Sequence, residues 1–109
     1  MTERLRRGDR FGICLPVLCE YRSGILLSRR YRQNLRRLQT VLARFRLWPA
    51  DEATAAEFAD ILGELRLAGK ALAQFDHLIA AIARQRNLTL LTSDRDFDVV
   101  AGLRIENWL

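Results

Sequence analysis

The chain has 109 residues, half of them hydrophobic, and a formal net charge of +5. That is enough for one packed domain and too apolar for wholesale disorder. No run reaches the roughly 18 apolar residues of a membrane span, and the N-terminus lacks the apolar stretch of a secretory signal, so a cytoplasmic protein with no membrane attachment is the expectation.

Residues 1–10 are polar and basic, with Gly8-Asp9 as a turn signal. Phe11-Gly12-Ile13-Cys14-Leu15 reads as a buried strand ended by Pro16, which suits the first turn of the helix that follows. That helix runs from about Val17 to Leu27, carries Glu20 near its start, and breaks or bends around Ser23-Gly24 or Ser28. Residues 29–46 form the clearest helix: Leu35, Leu38, Val41, Leu42 and Phe45 fall in one arc, and arginines fill the other side. Trp48-Pro49 ends it. Asp51 caps a third helix in which Ala55, Phe58, Ala59, Leu62 and Leu65 share a face. Glu57, Asp60 and Glu64 lie opposite and read as a solvated surface, and Gly69 stops the helix. A fourth helix, about Phe75 to Gln85, leads to the strand Thr89-Leu90-Leu91. Ser93 or Asp94 then caps a short helical turn holding Phe97, Val99 to Leu103 make a loop, and Arg104 to Trp108 alternates as a final strand. The order β, α, α, α, α, β, β with short crossovers points to an α/β domain with a parallel sheet.

The net charge hides an asymmetry. Residues 1–50 hold 12 arginines against three acids, a balance of +9, and residues 51–109 hold five arginines and Lys70 against ten acids, a balance of −4. A basic half suits a polyanion or an acidic protein partner. Arg29, Arg30, Arg32, Arg36 and Arg37 are its candidates for contact with RNA phosphates or with a partner. Cys14 and Cys19 match neither a zinc knuckle nor a redox pair and are expected to be reduced and packed.

Four acids stand out: Glu20, Asp76, Asp94 and Asp96. Each lies near a helix start or just past a strand, where the helix dipole tolerates negative charge, so capping is the plain reading of Glu20 and Asp94. Asp76 is different. It opens a strongly apolar helix with no basic residue nearby in sequence, and so calls for a cation or a hydrogen-bond network. Clustered carboxylates favour a hard ion, Mg²⁺ or Mn²⁺, which can activate water and offset charge on a phosphodiester oxygen. His77 is the single histidine and points about 100° away from Asp76, as a helix-surface residue. One histidine so placed excludes Ser/His/Asp and Cys/His catalysis, and no glycine-rich phosphate loop is present.

At these residues the chain resembles the PIN-domain proteins, specifically the VapC-type toxins of bacterial toxin–antitoxin pairs. The resemblance rests on Leu15 to Gly24 with Glu20, on Phe75-Asp76-His77-Leu78-Ile79-Ala80-Ala81, and on Leu91 to Phe97 with Gly102-Leu103 and Glu106-Asn107-Trp108. It implies Mg²⁺- or Mn²⁺-dependent cleavage of RNA, a cognate antitoxin protein as inhibitor, and a homodimer. Carried over, it makes Glu20, Asp76 and Asp94 catalytic metal-site acids, with Asp96 as a second claimant to the last place and the Thr92 hydroxyl in support.

The chain departs from the pattern at its start. The family opens with a central strand carrying an aspartate, a principal metal ligand, well before the segment matched by Pro16 to Glu20. Only 15 residues precede Pro16, and none reads as that strand. The expectation is therefore one PIN-like domain over residues 1–109, a three-layer α/β/α fold with a short parallel sheet whose first central strand is missing. A start placed too late, a truncated remnant, or completion by a second chain would each account for this. An incomplete metal site predicts weak or absent activity, and the rival to a ribonuclease toxin is a non-catalytic module that binds an antitoxin or itself.

Overall fold

The computed structural model describes residues 3–107. The turn at Gly8-Asp9 joins two strands, β1 (Arg4–Arg7) and β2 (Arg10–Cys14), into an antiparallel hairpin. Gly8 takes φ +58°, a left-handed conformation that costs a glycine little and that short hairpin loops need. Two helices follow, α1 (Leu15–Leu26) and α2 (Tyr31–Arg44), and then a short strand β3 (Arg46–Trp48). The second half runs α3 (Glu52–Leu67), α4 (Gln74–Gln85), β4 (Thr89–Leu91), a 3₁₀ turn over Arg95–Val99, and β5 (Arg104–Glu106). Trp108 of the expected last strand lies outside the described residues.

The strands form one sheet in the order β3-β2-β1-β4-β5. The outer pairs, β2 with β3 and β4 with β5, are parallel. The centre is not: β1 runs antiparallel to both of its neighbours, with Leu5 opposite Gly12 on one side and Leu90 on the other. Two expectations are corrected. The sheet is mixed rather than parallel, and its centre is filled by the basic segment read as structureless. Arg-Leu-Arg-Arg offers one apolar residue, too few to show alternation, yet one suffices for a strand this short. Leu5 is buried in the core, while Arg6 pairs with Glu106 and Arg7 Nη2 donates to the Arg86 carbonyl at 2.7 Å.

Strand β3 went unread because three residues ahead of a proline carry no pattern. Gly12 makes room for it: a Cβ there would stand 2.1 Å from the Arg46 carbonyl oxygen and 2.6 Å from the Trp48 ring. α1 continues through Ser23-Gly24 and stops just before Ser28, whose amide and hydroxyl both bond the Ile25 carbonyl.

α3 begins with a reciprocal cap, Asp51 Oδ1 accepting the Thr54 N–H at 3.0 Å while Thr54 Oγ1 accepts the Asp51 N–H at 2.9 Å. Its buried stripe is Thr54, Ile61 and Leu65, so Ala55, Ala59 and Leu62 are exposed and the inward face is rotated from the expected one. α4 causes the rotation. Its segment Ile79–Ala83 is wholly buried, and it packs along α3 with the small side chains that allow close approach. His77 is consequently not on the surface. It is buried, stacks on Phe58 with centroids 3.6 Å apart, and donates through Nε2 to the Phe58 carbonyl at 2.9 Å. Glu57 and Glu64 are likewise more than solvation, since both grip Arg84 of α4.

Candidate metal centre

The acids gather where β2 and β4 end, at the carboxyl edge of the parallel strand pairs, the place where open α/β sheets bind ligands. Asp76 enters from the first turn of α4. Asp94 and Asp96 follow β4. Asp94 caps the 3₁₀ turn, its Oδ1 accepting the Asp96 N–H at 2.9 Å. The capping reading of Asp94 is therefore correct, and capping leaves its carboxylate within the cluster. Carboxylate oxygens of Asp76, Asp94 and Asp96 all lie within 4.8 Å of one another. The two claimants to one position thus stand together.

Thr92, buried at the end of β4, organises this edge. Its hydroxyl oxygen accepts the Asp94 N–H at 3.0 Å and donates to Glu3 Oε2 at 3.3 Å. Glu3 is the residue that sequence reasoning missed. The signal was faint: Glu3 keeps step with Leu5, two residues on, just ahead of a hairpin turn.

Glu20 is outside the close trio. α1 holds it on an exposed turn beside a groove of about 560 Å³, which also takes in Arg4, Arg37, Tyr21, Ile25 and Leu38. Its charge nevertheless reaches Asp76. The Asp76 carboxyl is pushed above its ordinary range, first by burial and then by the negative charges of Asp94, Glu3, Glu20 and Asp96. Among the described residues no basic side chain forms an ion pair with Asp76, Asp94, Asp96 or Glu20.

Of the five candidate contact arginines, only Arg37 lines the groove with Glu20. Arg29, Arg30, Arg32 and Arg36 are exposed and make no ion pair among the described residues. Both cysteines are free, but only Cys14 is packed; Cys19 is exposed, against expectation. Burial pushes the Cys14 thiol up to about 12.

A cluster made of oxygen donors alone, crowded and without internal neutralisation, suits a hard divalent cation rather than zinc or copper. It can hold such an ion with room for water, because Asp96 is exposed.

The sequence profile of the PIN domain matches residues 2–103. The chain is 34% identical over 93 residues to the tRNA(fMet)-specific endonuclease VapC of Shigella flexneri, covering 84% of this chain and 70% of that protein. It is 28% identical over 107 residues to ribonuclease VapC2 of Rickettsia felis, covering 97% of this chain and 80% of that one. In structure it resembles VapBC2 from Rickettsia felis bound to a DNA fragment from their promoter, with a TM-score of 0.84 and 28% identity over 90% of this chain and 74% of that chain. DNA-bound VapBC from Salmonella typhimurium gives a TM-score of 0.83 at 28% identity, covering 88% and 74%. Among the described residues, no helix is long and apolar enough to cross a membrane.

Proposed function

The chain belongs to the PIN-domain family, among its VapC-type members, and from that premise we propose that it is a divalent-metal-dependent endoribonuclease, the toxin of a toxin–antitoxin pair. The observation that carries this reading is the meeting of Asp76, Asp94 and Asp96 within 4.8 Å at the carboxyl edge of the sheet, with no cationic side chain paired to them among the described residues. PIN-domain VapC nucleases depend on divalent metals as a class, and the all-oxygen donor set favours Mg²⁺ or Mn²⁺ here.

Asp76, Asp94 and Asp96 would hold the ion, and Glu20 would add its negative charge nearby. When bound, the ion supplies an activated water and offsets charge on the scissile phosphate. The protein residues set the geometry. Thr92 fixes the backbone from which Asp94 projects. The buried run Ile79–Ala83 anchors the helix that presents Asp76. The exposed arginines from Arg29 to Arg37 attract the phosphate backbone without reading sequence.

The partners follow from the same reading: an RNA substrate, a cognate antitoxin, and a second copy of the chain in a homodimer. Support for the antitoxin is that the structures resembling this chain are VapBC assemblies.

The test is cleavage of RNA by the purified chain with Mn²⁺ or Mg²⁺. Cleavage stops with chelator and falls about 100-fold or more in Asp76→Asn. A second reading has one observation in its favour: β1, at the centre of the sheet, carries no aspartate. On that reading the chain is a non-catalytic module. Binding to a partner persists in Asp76→Asn and Glu20→Gln, weakens with salt, and no cleavage is seen at any metal concentration.

A further inference from the structure

We propose that a groove at the other end of the sheet from the acids, between the β1–β2 turn and the junction of α2 with β3, is a second binding site for single-stranded RNA. The proposal rests on the reading of the chain as acting on RNA, and adds where a length of the strand away from the cut is held.

The observation behind it is the lining. The groove encloses about 640 Å³ and is walled by Arg10, Arg44 and Arg46, with Phe11 and Phe45 among them. Asp9 is the one acid that lines it. All three arginines are exposed, and none forms an ion pair among the described residues. The fold forces this meeting. Gly12 pairs with Arg46 in the parallel register, so Arg10, two residues before Gly12, comes to the same face at the outer end of the sheet. Arg44 ends α2, and Phe45 then turns to extended backbone, φ −109° and ψ 152°. Three consecutive residues, Arg44 to Arg46, thereby line one hollow. The Arg46 guanidinium lies 5.9 Å from the centroid of the Trp48 ring, which positions it without neutralising it. Like charges gathered in this way repel one another, and a bound polyanion relieves that repulsion.

Phe45 decides what the groove takes. The same exposed side chain also lines the groove that holds Glu20 and Arg37. The two hollows therefore meet at one aromatic ring, and a strand lying past Glu20 continues over Phe45 to the three arginines. Cations set about a flat ring suit a chain that alternates anionic phosphates with planar bases, since bases stack on aromatic side chains whatever the sequence. An acidic protein segment would use the arginines and leave the ring without a stacking partner. The five residues of β2 set this groove roughly 13 Å from the edge where the acids gather. It therefore holds nucleotides other than those at the cut.

The probe is a fluorescent oligouridine of about 20 nucleotides, bound by the whole chain in chelator so that binding is read apart from metal-dependent cleavage. Arg10→Ser, Arg44→Ser and Arg46→Ser combined should weaken binding about tenfold or more and lower the slope of log affinity against log salt by about 2. Phe45→Leu should weaken binding severalfold and leave that slope unchanged. Arg10→Lys, Arg44→Lys and Arg46→Lys combined should keep the slope, because the charges remain. Circular dichroism melts confirm that the variants fold. Removing the same charge with Arg66→Ser, Lys70→Ser and Arg104→Ser, at exposed positions that line neither groove, should leave affinity within about threefold of wild type. Wild-type affinity in the serine variant or in Phe45→Leu, a lost slope in the lysine variant, or an equal loss in the control overturns the second site. Polyglutamate that displaces the oligonucleotide at equal charge makes the occupant an acidic protein segment and overturns it too. Cleavage is scored separately. A chain that cleaves RNA with Mn²⁺ but binds it through other residues loses the second site and keeps the nuclease. One that binds RNA through these arginines and never cleaves loses the nuclease and keeps the site.

Discussion

Arg84 Nη2 stands 2.8 Å from Glu64 Oε2, and with the 2.9 Å contact from Nη1 to Glu64 Oε1 the pair is a two-pronged bridge between α4 and α3. Glu57 Oε1 accepts from Arg84 Nε at 2.5 Å, and the Ala101 carbonyl takes a further bond at 3.0 Å. The guanidinium is largely buried, so the bridge is screened less than a surface pair. It clamps the C-terminal end of the helix whose N-terminal end presents Asp76.

Arg84→Met should therefore destabilise the fold, through the loss of charge-assisted hydrogen bonds to the half-buried Glu57, the exposed Glu64 and the Ala101 carbonyl. Urea unfolding checks this. The midpoint falls while the slope stays constant, since the folded surface hardly changes.

Asp76→Asn should stabilise the metal-free protein at neutral pH. The folded-state pKa of Asp76 lies above its ordinary value of 3.8, so the folded form holds the proton more tightly than the unfolded chain does. Its contribution to stability is complete below that ordinary value and is lost as pH rises through the folded pKa. The variant should melt with the wild type in strong acid and above it at neutral pH in chelator. Saturating Mn²⁺ should reverse the order, because the wild type alone gains from binding.

Cys14 and Cys19 should differ sharply towards iodoacetamide at pH 8. Cys14 is buried, with its thiol pushed up to about 12, and Cys19 is exposed. Intact mass should show one adduct on the native protein and a second only in denaturant. Two adducts under native conditions would mean that the junction of β2 and α1 opens readily.

Gly12→Ala should cost about 3 kcal/mol or prevent folding, because the new methyl meets the Arg46 carbonyl and the Trp48 ring at separations no packing tolerates. Gly24→Ala, on the exposed side of α1 with nothing within 4 Å of a Cβ, should be neutral or slightly stabilising. Thermal melts of the two variants side by side make the comparison.

The helices and the α4–β4 unit were legible because helix signals are local. The two-faced pattern of α2, the Asp51 cap and the run from Asp76 to Ala83 each lie within a few turns of chain, and the structure places them within one or two residues of the expected bounds. The convergence of Asp76 with Asp94 and Asp96 was legible too, since one helix, one short connection and one strand separate them. His77 was misread for a different reason. Its spacing from Asp76 is a helical fact, but burial depends on where α3 lies, and Phe58 is 19 residues away.

The amino-acid sequence by itself thus determined the α/β class, the elements that carry the acids, and the family to which they belong. Only the tertiary structure decided that the centre of the sheet is filled, that its strand runs antiparallel, and that Glu3 arrives at the ligand edge. A helix closes its hydrogen bonds with residues four positions away. β1 closes its own with β2 across a tight turn and with β4 more than eighty residues distant. Nothing within Arg-Leu-Arg-Arg states the direction of that second pairing, which is settled when Leu5 is buried between Gly12 and Leu90.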